Sequence, residues 1–235
     1  MNGFNKMNLS YRVEDGGFIL NINKPSGMSS FDVVREVRRL TSLRKVGHAG
    51  TLDPLAEGVL LICAGRATKR VSELMELEKE YRGTVRLGIT TETDDGEGKI
   101  IKKKSVSDFS KEEIESVLNL FVGEIMQVPP MYSAIKSNGE RLYRLARKGI
   151  TVEREARVVH IKKIRLLSWK NPDIHLQVSC SRGTYIRALA RDIGERLNTG
   201  GYLKYLCRTR IGNFRVEDGY KIDEIEELFK QHECI

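Results

Sequence analysis

KVGHAGTLDPLAEGVLLICAGRATK, residues Lys45 to Lys69, runs from a glycine-studded loop through Asp53-Pro54 into the longest apolar run of the chain, Val59 to Ala64. Gly47 and Gly50 allow positive φ and close backbone approach, and Pro54 holds its φ near one value. Val59, Leu60, Leu61 and Ile62 have the pattern of a strand buried on both faces. The layout fixes a loop to the end of a core strand, and the acid of that loop is Asp53. Two readings of Asp53 are open at this point. Asp before Pro is common turn chemistry. A carboxylate held rigidly at the mouth of a buried strand can also serve as nucleophile or base.

On the N-terminal side, Gly17 to Asn23 reads as a short apolar strand ended by Lys24-Pro25-Ser26-Gly27. Ser29 or Ser30 can cap a helix over Phe31 to Leu40, with Val33, Val34, Val37 and Leu40 on one face, Asp32 in the first turn and Arg38 and Arg39 in the last. Taken alone, Lys24 reads as a solvated surface lysine. On the C-terminal side, Arg66 to Leu77 has a helical pattern and Glu80 to Gly88 alternates as a strand, with Tyr81 as a half-buried strand aromatic. Thr93 to Gly98 is a turn, and Lys99 to Lys104 an edge-like, lysine-rich strand. Ser110-Lys111-Glu112-Glu113 is a capping box for a helix to about Phe121.

The stretch Gly123 to Gly149 holds an X-Pro-Pro, a basic helix and the interleaved Tyr132 and Tyr143, a composition suited to phosphate contact and base stacking. Two strands, Arg157 to Trp169 and Ile174 to Ser181, follow, joined at Asn171-Pro172-Asp173. A helix through Tyr185, Ile186, Leu189, Ile193 and Leu197 then ends at Thr199-Gly200-Gly201. Arg182 to Arg215 carries eight Lys or Arg and two acids, a net +6 that reads as the clearest electrostatic footprint of the chain. Glu217 to Glu233 reads as an acidic closing helix.

The 235 residues suffice for a sizeable core. A formal net charge of +8 points to a polyanionic partner, nucleic acid before an anionic membrane surface. Cys63, Cys180, Cys207 and Cys234 have no C-x-x-C or Cys/His ligand spacing, so they read as thiols of a reducing compartment, with no disulfide framework and no metal site. The opening residues have no signal-peptide core, and no apolar run reaches the length of a membrane span. A cytoplasmic protein with no obligate protein partner is the expectation.

The string KVGHAGTLDPLAEGVL resembles the catalytic motif of the TruB family of tRNA pseudouridine synthases, over about sixteen consecutive positions. NINKPSGMSSFDVV resembles the first motif of that family, whose Lys-Pro pair supports the active-site region, and Lys79-Glu80-Tyr81 its second, whose tyrosine stacks on the target base. RGTYIRALARDIG resembles the third, whose tyrosine lies in the pocket and whose arginine pairs with the catalytic carboxylate. YLCRTRIGNF matches a Leu-Arg-Arg element at the pocket wall, with Cys207 in place of the first arginine. The resemblance covers roughly Gly17 to Leu228.

By that resemblance Asp53 is catalytic, and His48, Tyr81, Tyr185, Arg187 and Leu206 bind substrate, His48 by stacking near the flipped-out base. The implied target is uridine 55 of the tRNA T-loop, met on the T-arm. The implied fold is a single α/β catalytic domain of the α+β type, a mixed, mostly antiparallel sheet flanked by helices, spanning 1–235 with an RNA-gripping insertion at about 123–149. Many members carry a C-terminal RNA-binding PUA domain, and this chain is expected to lack one. Pseudouridine formation breaks the N1–C1′ bond, rotates the uracil and joins C5 to C1′, so no cofactor and no metal is expected. An arginine partner favours the ionised carboxylate, a nucleophile or base and not a general acid.

Two other classes compete. A non-catalytic RNA-binding protein would explain the basic surface and the aromatics, and would bind equally well as Asp53→Asn. A hydrolase with an aspartate nucleophile would need a metal-binding acidic partner near Asp53, where Leu52 to Gly58 supplies Glu57 alone.

Overall fold

The computed structural model describes residues 11–12, 17–137 and 139–230, which leaves Cys234 outside the described residues. In chain order the strands and helices are β1 (Tyr11–Arg12), β2 (Gly17–Lys24), α1 (Ser30–Thr41), β3 (Val46–His48), β4 (Glu57–Gly65), α2 (Val71–Glu76), β5 (Lys79–Leu87), β6 (Ile89–Thr91) and β7 (Ile100–Lys103). They continue with α3 (Lys111–Asn119), β8 (Gly123–Gln127), β9 (Lys136–Ser137), β10 (Glu140–Arg141), α4 (Leu142–Arg147), β11 (Arg157–Lys170), β12 (Asp173–Cys180) and α5 (Ile186–Arg196). β13 (Gly201–Ile211), β14 (Phe214–Arg215) and α6 (Ile222–Lys230) close the described chain. This is a mixed α/β fold on a mainly antiparallel sheet.

Two compact units make it up. The first takes the described residues up to Tyr81 and those from Leu206 onward; the second is Arg82–Tyr205. β5 and β13 are each divided between them.

In the first unit the strand order is β1-β2-β4-β13. β4 is the apolar run, every residue from Gly58 to Ala64 buried. It pairs antiparallel with β2 over eight residues and with β3, and parallel with β13 through Glu57 and Arg208's neighbour Cys207 and through Gly58 and Arg208. Burial on both faces explains why the run is uninterrupted rather than alternating. Its odd-numbered face, Val59, Leu61 and Cys63, packs with Ile19, Ala67, Leu74 and Ile211 in the core. Residues 66–77 supply part of that core as a 3-10 turn over Arg66–Arg70 followed by the short α2, instead of one continuous helix. α1 is capped by Ser29, whose hydroxyl and Asp32 form a reciprocal capping box.

In the second unit the order is β5-β12-β11-β8. β11 and β12 form a long antiparallel hairpin, Trp169 opposite Ile174. β8, the first five residues of the stretch 123–149, pairs along β11, and the rest of that stretch carries the β9–β10 hairpin and α4. β6 and β7 make a separate two-stranded hairpin whose β7 residues are all exposed, not an edge of the main sheet. The Ser110–Glu113 capping box starts α3. α5 ends where a Cβ on Gly194 would lie 2.3 Å from the backbone of Gly200 and Gly201, so only glycine lets the chain fold back there into β13. No helix among the described residues is long and apolar enough to cross a membrane.

Candidate active site

β3 ends at His48 and β4 begins at Glu57, so the loop of residues 49–56 hangs between two paired strands of the core. Asp53 sits in its turn, where its carbonyl accepts from the Ala56 N–H at 3.1 Å, and is half-buried. The backbone on both sides is held by side chains. Ser30 Oγ donates to the Leu52 carbonyl at 2.9 Å and accepts from the Leu52 N–H at 2.8 Å. Lys24 Nζ donates to Pro25 O at 2.8 Å, Met28 O at 2.6 Å and Pro54 O at 3.3 Å, and the Gly27 N–H reaches Pro54 O at 2.8 Å. Ser26 Oγ donates to Leu55 O. Arg208 donates from Nε to Val59 O at 2.7 Å, from Nη1 to Thr51 O at 3.2 Å and from Nη2 to Gly50 O at 3.1 Å.

These contacts overturn the reading of Lys24 taken alone and decide between the two candidate caps. Lys24 is not a solvated lysine: it is 0 % exposed, and its ammonium donates to three backbone carbonyls. Burial and the Arg208 charge push its pKa down to about 8, against the pull of Asp53, Glu57 and Asp32. Ser30, an alternative cap by sequence, leaves the capping to Ser29 and ties α1 to the Asp53 loop.

Gly58 explains the last glycine of the motif. Its φ is +101°, and a Cβ there would stand 2.3 Å from the Arg208 carbonyl oxygen, so glycine is what allows β4 and β13 to pair at this point. His48, at the end of β3, is half-buried. Burial and Arg208 lower its pKa below the ordinary imidazole value, which leaves a neutral ring at pH 7. Tyr81 in β5 and Leu206 in β13 are buried in the same unit.

Tyr185 and Arg187 belong to the second unit. Tyr185 precedes α5, and Gln127 of β8 fixes it twice: the Tyr185 N–H donates to Gln127 Oε1 at 2.8 Å and its carbonyl accepts from Gln127 Nε2 at 3.2 Å. Arg187 is buried, 3.5 Å from Asp95, and donates to Thr93 O at 3.1 Å and Tyr132 O at 2.8 Å. One turn on, Arg191 pairs with Asp94 at 2.9 Å and Asp192 at 2.8 Å and donates to Val128 O. Burial raises the pKa of both aspartates against the Arg191 charge. α5 thus fastens the 93–95 turn and the start of the 128–149 stretch with two arginines. The four residues His48, Asp53, Tyr81 and Leu206 are brought into one unit, and Tyr185 and Arg187 into the other.

Most of the cations from Arg182 to Arg215 have partners within the protein. Arg187 and Arg208 are buried, Arg191 pairs as above, Lys204 with Asp173 and Arg210 with Glu78. Counting charge along the sequence registers the cations and misses their partners. Arg208 is the functional candidate that sequence reading passed over. Its signal was there: two residues after Leu206 in a strand, it falls on the same face, and that face is buried. Among the described residues no three His, Cys, Asp or Glu side chains gather as a metal site.

Residues 38–186 match the family described as TruB family pseudouridylate synthase, N terminal domain. A tRNA pseudouridine synthase B of Clostridium tetani is 49% identical over 209 residues, 89% of this chain and 72% of its own length. That of Clostridium kluyveri is 52% identical over 208 residues, 88% and 72%. Among solved structures, a Cbf5-Nop10-Gar1 complex contains a chain with a TM-score of 0.72 and 29% identity, matched over 92% of this chain and 55% of that one. An H/ACA RNP bound to a substrate RNA containing 2'-deoxyuridine gives a TM-score of 0.68 at 26% identity, with 93% and 56% covered. The chain spans a little over half the length of those solved chains.

Proposed function

The chain belongs to the TruB family of pseudouridylate synthases, and we propose on that premise that it isomerises uridine 55 in the T-loop of tRNA, with Asp53 as the nucleophile or base. The observation that carries the proposal is the Asp53 loop itself. Its backbone is pinned on both sides of Asp53 by Ser30, Lys24 and Arg208, and Asp53 itself is half-buried. A reacting group held within a fraction of an ångström is what oriented catalysis requires.

The reaction breaks N1–C1′, turns the freed uracil and forms C5–C1′, with the C5 hydrogen leaving as a proton. The uridine must first leave its stack, at a cost of a few kcal/mol, and an aromatic platform returns about 1–3 kcal/mol per base. Tyr81 and the neutral ring of His48 are the proposed platforms, and Tyr185 and Leu206 are further proposed substrate-binding residues. Arg187 is proposed to bind the substrate. The substrate is tRNA, as the names of the 49% and 52% identical relatives support.

The position is tested by incubating the protein with an unmodified tRNA transcript and with one carrying cytidine at position 55, then mapping pseudouridine by carbodiimide derivatisation, which leaves a stable adduct on pseudouridine and none on uridine. One pseudouridine at 55 in the first and none in the second is expected. Modification elsewhere, or in both transcripts, would contradict the assignment.

A further inference from the structure

We propose that Arg208 is the positioning residue of this enzyme, holding the loop that presents Asp53 by joining two of its backbone carbonyls to one of the strand beyond it through one buried guanidinium. The inference rests on the reading of Asp53 as catalytic. Nη2 takes Gly50 O and Nη1 takes Thr51 O at the entrance of the loop, and Nε takes Val59 O on the strand beyond it. The side chain therefore spans the loop from before Asp53 to after it. Ser30 and Lys24 fix single points within that span, at Leu52 and Pro54.

The setting argues against a merely structural part. Arg208 is 2 % exposed, and no carboxylate among the described residues forms an ion pair with it. A buried cation answered only by carbonyl dipoles costs stability that an apolar residue at the same strand position would not. Such departures from the stable choice gather at functional sites. Lys24, a second buried cation, has its proton loosened by burial first and by the Arg208 charge second. The fold thus keeps two like charges around one loop, and that loop carries the Asp53 carboxylate. The planar fork of an arginine holds its donors apart in a rigid frame that bridges the loop and the strand beyond it, whereas the donors of a lysine radiate from a single ammonium on a flexible stem.

The test uses the full chain and an unmodified tRNA transcript. Arg208→Lys keeps a cation and most of the volume; Arg208→Ala leaves space that free guanidinium ion can enter. For both, the single-turnover rate is expected to fall by about 10²-fold while the tRNA Kd stays within a few-fold, as a misplacement of about 1 Å produces. Guanidinium at low, non-denaturing concentration should restore about tenfold of the rate to Arg208→Ala, and none to Asp53→Ala. An unchanged rate in Arg208→Lys, a parallel loss of rate and affinity without rescue, or insoluble protein from both substitutions would overturn the proposal. Asp53→Ala run alongside separates the two claims. Turnover by Asp53→Ala would sink the reading of Asp53, whereas an inactive Asp53→Ala beside a fully active Arg208→Lys would sink only the role of Arg208.

Discussion

Lys24 shows how a single side chain can be misread from its neighbours in sequence. Lys-Pro-Ser-Gly is turn chemistry, and its lysine has every local reason to be solvated. Its partners are carbonyls of the next turn and of Pro54, thirty residues away, which no local pattern reveals. The same holds for Ser30 and Leu52, and for Arg208 with Gly50, Thr51 and Val59. The burial of Lys24 has a measurable consequence. In the unfolded chain its amine keeps its proton up to about pH 10.5, and in the fold it gives it up near pH 8. The unfolded state therefore binds more protons between those values, and the unfolding free energy gains with rising pH across that window. Denaturant unfolding of wild type and Lys24→Met at pH 7.5 and pH 10 should show wild type gaining on the variant by up to about 3 kcal/mol. A difference that is flat with pH would mean that the amine is hydrated and not buried.

Among the elements, those with local signatures were legible. The apolar run of β4 and the Ser110–Glu113 box were both read from consecutive residues, and the structure has them. The 3-10 turn at Arg66–Arg70 and the separate β6–β7 hairpin were not, because helical periodicity does not tell one kind of turn from another and an edge-like strand does not name its neighbour. The parallel pairing of β4 with β13 was equally invisible, since it joins residues some 150 positions apart, and Gly58 is the residue on which it turns. Gly58→Ala forces a Cβ against the Arg208 carbonyl and a positive φ on a residue that resists it. We expect a loss of about 3 kcal/mol or more in a denaturation midpoint experiment. A loss below about 1 kcal/mol would show that β4 and β13 can part without harm.

On the scale of the whole molecule, the motifs of the site are dispersed along the chain and the two compact units divide them, His48, Asp53, Tyr81 and Leu206 in one and Tyr185 and Arg187 in the other. The family was legible because sixteen consecutive residues around Asp53 carry its signature. What holds the site in shape was not, because it is built of side chains bonding to distant carbonyls. Nor was the use of the basic stretch 182–215, whose arginines serve α5 and β13 internally before they serve any phosphate. The central claim is that Asp53 performs the chemistry on a tRNA uridine, and release of tritium from uridine C5 of an unmodified tRNA transcript tests it most directly. Wild type should release the label as C5 bonds to C1′, and Asp53→Ala should release none while binding the tRNA within a few-fold of wild type. Release by Asp53→Ala at a rate near that of wild type would contradict the account.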